Sequence, residues 1–122
     1  MRDHISYIKV RLEAVTEDSL TVGLIHIDSE GKVKVFVSIK RLNLVESLMK
    51  DNAFDLFASY VERIKMAGEE GKLTYEYVER ESRYQNGIVQ ITKPSGIASP
   101  KKGKPSYAEG IFNKRIDKYY ND

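Results

Sequence analysis

This chain of 122 residues contains no cysteine, no tryptophan and only two histidines. Without cysteine it cannot form a disulfide framework, a thiolate zinc site or a cysteine nucleophile, and a reducing compartment is the simplest location. We therefore expect a cytoplasmic protein. Two histidines are too few for a histidine-rich metal site, although carboxylate sites stay open. We expect neither a metal nor a cofactor.

Long hydrophobic runs are also missing from the sequence. The segment from Met1 to Glu13 lacks the apolar stretch of a secretory signal, and no apolar run approaches the roughly 20 residues that a membrane span requires. Hydrophobic residues still make up 41% of the chain, which is enough for the core of one domain. We therefore expect a single domain over residues 1–122 that does not enter a membrane.

Charges of the two signs nearly balance, since 20 Lys+Arg and 18 Asp+Glu give a formal net charge of +2. A value so close to zero does not by itself indicate a polyanionic partner. The distribution is more informative, because residues 93–106 contain four lysines, all three prolines and no acidic residue. This stretch is the first candidate for a binding site.

Alternating apolar residues predict three strands in the first part of the chain. The first strand begins near Ile8 and has one polar side. The second runs from Leu20 to Ile27 and has apolar residues on both sides, as a central strand does. A turn at 28–32 leads to a third strand from Val33 to Ile39. Apolar residues at helical spacing then predict two helices before Gly68.

A late β-hairpin is predicted from residues 73–84 and 88–92, which flank Asn86 and Gly87. Asn-Gly is typical of a two-residue type I′ turn, and it would place Ser82 opposite Ile91.

The last helix is predicted from about Tyr107, because Ser106 and Glu109 have the spacing of a capping box. The element order is then βββααββα. This order predicts an α+β fold with an antiparallel sheet of about five strands and helices packed mainly on one face.

The basic segment 93–106 runs from a predicted strand to a predicted helix start, where a phosphate-binding loop would lie. It is not a nucleotide-binding P-loop, because Pro105 separates Lys104 from Ser106. Contacts with a nucleic acid or a phosphorylated small ligand remain possible for six residues: Lys93, Lys101, Lys102, Lys104, Ser106 and Tyr107. Alternatively, the segment is an exposed tether for the last helix, and the lack of arginines and interleaved aromatics favours that interpretation.

Eight tyrosines favour a contact function, because amphipathic rings are common at interfaces. The four that we expect at an interface are Tyr75, Tyr77, Tyr119 and Tyr120. We add Ile25 and Ile27. Strict alternation would place Val22 and Leu24 on one face of the strand and these two isoleucines on the other, where they need cover. A second copy of the chain is the simplest cover, so we expect a homo-oligomer.

Catalytic candidates are weak in this sequence. Glu79 and Glu81 share one side of a predicted strand with Arg83, which is the pattern of a solvated charge ladder. His26 falls in the central strand, where a histidine is more often a hydrogen-bonded core residue than a ligand. The sequence therefore favours a small, non-catalytic regulatory or adaptor domain that binds another macromolecule through the tyrosine-bearing hairpin and the last helix. The alternative is a binder of nucleic acid or a phosphorylated ligand through residues 93–104.

Overall fold

The computed structural model describes residues 2–12, 19–49, 53–83, 88–100 and 106–117. The strands are β1 (Asp3–Arg11), β2 (Ser19–Ile27), β3 (Val33–Val37), β4 (Val89–Ile91) and β5 (Ser95–Ile97). The helices are α1 (Ile39–Leu48), α2 (Ala53–Glu69), α3 (Tyr75–Arg83) and α4 (Tyr107–Ile111), and a π-helical segment, Phe112–Asp117, continues α4.

The five strands form one antiparallel sheet, which confirms the predicted α+β class. Strand β1 is its organising member, because it pairs with β2 along one edge and with both β4 and β5 along the other. Strand β3 pairs with β2 and forms the outer edge on that side.

A β-bulge in β2 changes which side chains share a face. Ile8 lies opposite Gly23 and Lys9 lies opposite Thr21, so Val22 is an extra residue in β2. Because of this extra residue, Val22 and Leu24 belong to opposite faces of the sheet. The expectation that they share a face was wrong, since strict alternation does not continue through a bulge.

The larger hydrophobic core lies between the sheet and helices α1, α2 and α3. Buried side chains of this core include Val45 of α1, Phe57 and Val61 of α2, and Val78 of α3. Helix α2 lies very close to the sheet at Gly68, where a Cβ atom would come within 2.8 Å of Val35.

A smaller core lies on the opposite face, under α4 and its π-helical continuation. Ala108, Phe112 and Ile116 pack there against Ile5 and Leu24. The helix begins at Tyr107 as predicted, and Ser106 caps it by accepting a hydrogen bond from the Ala108 N–H at 3.1 Å.

The predicted late hairpin is wrong, because residues 75–83 form helix α3. Thr74 accepts a hydrogen bond from the Tyr77 N–H at 3.1 Å, and Glu79 pairs with Arg83 one helical turn later. Those local contacts outweigh the short alternation on which the strand was predicted. Ile91 pairs with Ile8 instead of Ser82, and the Asn86–Gly87 turn lies outside the described residues.

Two element ends also differ from expectation. Strand β3 ends at Val37, because Ser38 caps α1 by accepting a hydrogen bond from the Arg41 N–H at 3.3 Å. The segment 93–106 is not all loop, since Ser95–Ile97 pairs with β1 as β5. The fifth strand therefore comes from this segment and not from residues 73–84.

Ile25 and Ile27 are covered within a single chain. They are 1% and 0% exposed and belong to the core under α1, α2 and α3. The reason for expecting a second copy at these two residues is thereby removed. The homo-oligomer itself stays a prediction, which light scattering at high protein concentration would test.

No helix of the described ranges is long and apolar enough to cross a membrane.

The bulge predicts a strict requirement for glycine at position 23. In Gly23→Ala, the new methyl would lie 2.6 Å from the Phe36 carbonyl oxygen and 3.2 Å from the Ile8 side chain. We expect the free energy of unfolding to fall by about 1–3 kcal/mol, because neither neighbour can move without disturbing the sheet.

Urea unfolding would measure this loss, with Gly110→Ala as the matched control. Apart from its chain neighbours and its own helix backbone, no atom of the described residues lies within 4 Å of a Cβ at Gly110, so that change should leave stability equal or slightly higher. Equal stability of Gly23→Ala and the wild type would contradict the bulge geometry.

Candidate interaction site

The predicted contact tyrosines of the hairpin lie instead on helix α3. The half-buried Tyr75 meets the ring of His4 edge to face, with ring centroids 5.1 Å apart. Tyr77, also half-buried, points toward Arg80, whose guanidinium carbon is 5.5 Å from the ring centroid. Helical spacing therefore separates two residues that a strand would have placed on one face.

A network of tyrosine, arginine and glutamate connects α3 to α2. The Tyr60 hydroxyl donates a hydrogen bond of 2.8 Å to the Glu81 carboxylate. The guanidinium carbon of Arg63 lies 5.6 Å from the Tyr60 ring centroid. Sequence reasoning missed Tyr60, because its partner is on another helix and no local pattern marks such a pair.

A cleft of about 250 Å³ opens beside this network. Its lining residues are Leu56, Phe57, Tyr60, Arg63, Ile88 and Val89. We call it the tyrosine–arginine cleft. Phe57 and Val89 are buried at its base, whereas Leu56 is 67% exposed at its rim. The cleft is thus apolar at its base and cationic at one side.

The phenols of Tyr60 and of the neighbouring Tyr77 both stay protonated at neutral pH. Burial raises the pKa of Tyr60, and the hydrogen bond and negative charge of Glu81 raise it further. Burial and Glu81 also raise the pKa of Tyr77. The two rings are therefore neutral, and Tyr60 is held in one orientation by its hydrogen bond.

The three arginines near the network differ in whether they form ion pairs. Neither Arg63 nor Arg80 forms an ion pair with another residue of the described ranges. By contrast, Arg83 pairs with Glu79 on the same helix. Arg63 lines the cleft, whereas Arg80 lies outside its lining beside Tyr77 on α3, so an anionic partner that enters the cleft meets the Arg63 guanidinium first.

The residues predicted in the basic segment are only partly gathered. Lys93 is exposed after β4, Ser106 is occupied as the cap of α4, and Tyr107 is 49% exposed. Tyr107 borders a shallow depression that includes Lys114 and Arg115. The predicted contacts Lys101, Lys102 and Lys104 lie outside the described residues, as do Tyr119 and Tyr120.

A buried polar cluster at the start of β1 was also missed by sequence reasoning. Asp3 is 2% exposed, and its carboxylate lies 2.9 Å from His26 Nε2 and accepts a 2.9 Å hydrogen bond from Ser99. Burial by itself would raise the pKa of Asp3, but the hydrogen bonds from His26 and Ser99, the charge of His26 and the Ser29 N–H hold it below its ordinary value of 3.8.

This cluster does not have the arrangement of a hydrolase triad. Asp3 lies between the serine and the histidine, so both hydrogen bonds end on the carboxylate and Ser99 makes none to the imidazole. Among the residues that the structure describes, no three His, Asp or Glu side chains are close enough together to hold a metal ion. The cluster stabilises the fold, because it connects β1, β2 and Ser99, which lies two residues after the end of β5.

No protein-family model matches this chain, and searches of curated proteins and of solved structures each found no match. Function therefore has to be inferred from the side chains and their geometry.

The Asp3 cluster predicts a pH-dependent contribution to stability. Because the folded-state pKa of Asp3 is depressed, the contribution is present above 3.8 and is lost as pH falls through the lower folded-state value. Asp3→Asn should therefore lower the free energy of unfolding by about 1–3 kcal/mol at neutral pH. Its difference from the wild type should shrink in strong acid.

Urea unfolding at several pH values would measure both effects, with the exposed Glu62→Gln as the control. A difference between wild type and Asp3→Asn that is independent of pH would contradict the role of the carboxylate charge.

Proposed function

We propose that this chain is a non-catalytic protein-interaction domain that binds an acidic segment of another protein through the tyrosine–arginine cleft. The observation that carries this proposal is the exposed Leu56 beside an apolar cleft with a cationic rim. The absence of cysteine agrees with a reducing compartment, and we propose the cytoplasm as its location.

The composition of the cleft supports a protein partner. Tyrosine and arginine are the residues over-represented at interface positions that contribute most to binding, and a buried apolar base excludes water around them. Here Tyr60 and Arg63 stand over a base formed by Phe57 and Val89. The Tyr60 hydrogen bond also fixes the ring before a partner arrives, which lowers the entropy lost on binding.

The size of the cleft argues for a single anchoring side chain. Pockets for cofactors and drug-sized ligands usually measure about 300–1,000 Å³. At about 250 Å³ this cleft matches one leucine-sized or phenylalanine-sized side chain better than a whole cofactor. Leu56 at the rim would then lie against the apolar residue that enters.

The charge of the cleft argues for an acidic partner segment. Arg63 and Arg80 carry two positive charges that no carboxylate of the described ranges neutralises by an ion pair. Aspartate or glutamate on either side of the anchoring residue would complement them. The expected partner is therefore a peptide segment that combines acidic residues with one bulky apolar residue.

Helix α4 does not contribute to this surface. It packs on the opposite face of the sheet from α2 and α3. The original expectation of one binding surface made from the tyrosine-bearing segment and the last helix is replaced here by a surface made from α2, α3 and the start of β4.

Peptide selection tests this proposal. A random peptide library displayed on phage would be selected against the wild-type chain. We expect the enriched sequences to combine Asp or Glu with a leucine, phenylalanine or methionine. Leu56→Asp should weaken binding of a synthetic enriched peptide by about tenfold or more, because it places a charge at the apolar rim.

Matched variants separate the cleft from general surface effects. Met66→Asp changes another exposed apolar residue of α2 that does not line the cleft, and it should bind as the wild type does. Arg63→Gln with Arg80→Gln should weaken binding by about fivefold at low salt, whereas Lys65→Gln with Lys72→Gln should not. Equal binding by the cleft variants and their controls, or no enrichment of acidic peptides, would overturn the proposal.

A further inference from the structure

A patch of polar side chains lies on the α4 side of the sheet, beyond the apolar part that α4 covers. Ile8 and Val10 point into the larger core, so the residues that alternate with them point to the other side. The same reasoning applies to β2 before its bulge and to β4. The side chains that form this patch, which we call the polar face, are Lys9, Arg11, Ser19, Thr21 and Gln90.

Strand pairing brings these residues close together. Lys9 lies directly opposite Thr21 on one side and Gln90 on the other, and Arg11 lies opposite Ser19. Neighbouring strands are about 4.8 Å apart, so each cation has a neutral hydrogen-bonding side chain as its nearest cross-strand neighbour. Among the residues that the structure describes, the polar face contains no carboxylate.

The two cations are partly withdrawn from water without a counter-charge. Lys9 and Arg11 are half-buried, and neither forms an ion pair with a residue that the structure describes. The Nε atom of Arg11 is buried and makes no hydrogen bond there. Buried polar groups nearly always have a partner, so the Arg11 guanidinium keeps hydrogen-bonding capacity that the described residues do not use.

A third cation, Arg41, adds positive charge at the border of the polar face. Arg41 is 6% exposed, and it donates hydrogen bonds to the Thr21 carbonyl at 2.6 Å and to the Arg115 carbonyl at 3.1 Å. Its guanidinium is therefore fixed next to Thr21. It raises the local positive potential even though it is engaged with backbone groups.

We propose that the polar face binds the phosphate backbone of a single-stranded nucleic acid. Lysine, arginine, hydroxyl and amide groups are the side chains that donate to phosphate oxygens. Lys9 and Arg11 are two positions apart on β1, about 7 Å along the strand. That spacing suits successive phosphates of one extended strand better than a single phosphate group.

An aromatic ring extends the same row of side chains. Tyr7 is half-buried and lies two residues before Lys9, on the same face of β1 as Lys9 and Arg11. Stacking of a base on an aromatic ring next to cations that contact the backbone is the usual way in which proteins bind single strands without sequence preference.

Fluorescence anisotropy of a labelled oligothymidylate, measured over a range of salt concentrations, tests the proposal. For the wild type we expect binding that weakens steeply with salt. Lys9→Gln with Arg11→Gln should weaken binding at low salt by about tenfold or more and should lower the slope of log K against log salt by about 1.4, since two phosphate contacts are lost. Lys9→Arg with Arg11→Lys keeps both charges and should bind nearly as the wild type does.

Three comparisons decide the assignment. Lys65→Gln with Lys72→Gln removes the same charge elsewhere, so an equal loss in this control would show only a non-specific effect and overturn the proposal. A triple variant combines Lys101→Gln, Lys102→Gln and Lys104→Gln. If it loses oligothymidylate binding while Lys9→Gln with Arg11→Gln binds fully, the contact belongs to the basic segment instead. Thymidine monophosphate that competes as strongly as the oligonucleotide would overturn the assignment to a nucleic-acid backbone. Thermal melting of each variant confirms that it is folded, and the single Lys9→Gln replaces the double variant if that one unfolds.

Discussion

The extra residue in β2 allows one short sheet to support helices on both of its faces. Without Val22 as a bulge opposite Ile8, strict alternation would send Leu24 and Val22 to the same side. With it, Val22, Ile25 and Ile27 pack under α1, α2 and α3, while Leu24 packs under α4. The position next to Val22 is a glycine, because the Phe36 carbonyl oxygen leaves no room for a side chain.

Polar contacts then attach the peripheral elements to this sheet. Asp3 contacts His26 of β2 and Ser99 beyond β5, and so it holds β5 against β1. Arg41 reaches from α1 to the backbone of β2 and of the π-helical segment. A half-satisfied buried carboxylate or guanidinium costs several kcal/mol, so these contacts favour one arrangement of the chain ends over others.

The fold was predictable where one period governs a long segment. Strands β1 and β2, the helical region before Gly68 and the cap at Ser106 were all recognised from local patterns. Residues 75–83 were not, since Glu79, Glu81 and Arg83 alternate as they would along a strand. The cap at Thr74 and the Glu79–Arg83 pair, which stabilise the helix, are weak signals in one sequence.

The candidate sites were harder to predict than the fold, because they depend on contacts between distant segments. Tyr60 and Glu81 are 21 positions apart, and Asp3 and Ser99 are 96 apart. No spacing rule connects such residues before the topology is known. The two cations of β1 were visible as one polar side of a strand, but only the pairing with β2 and β4 shows which neutral residues surround them.

The two proposed surfaces lie on opposite sides of the sheet and meet at β4. Val89 forms part of the base of the tyrosine–arginine cleft, and the next residue, Gln90, belongs to the polar face. Since successive side chains of a strand point to opposite faces, a ligand that displaces β4 through Val89 also displaces Gln90. Any such coupling must be reciprocal, so that occupancy of either surface changes the affinity of the other by the same factor. Ligands that leave β4 in place would bind independently, because the sheet separates the tyrosine–arginine cleft from the polar face.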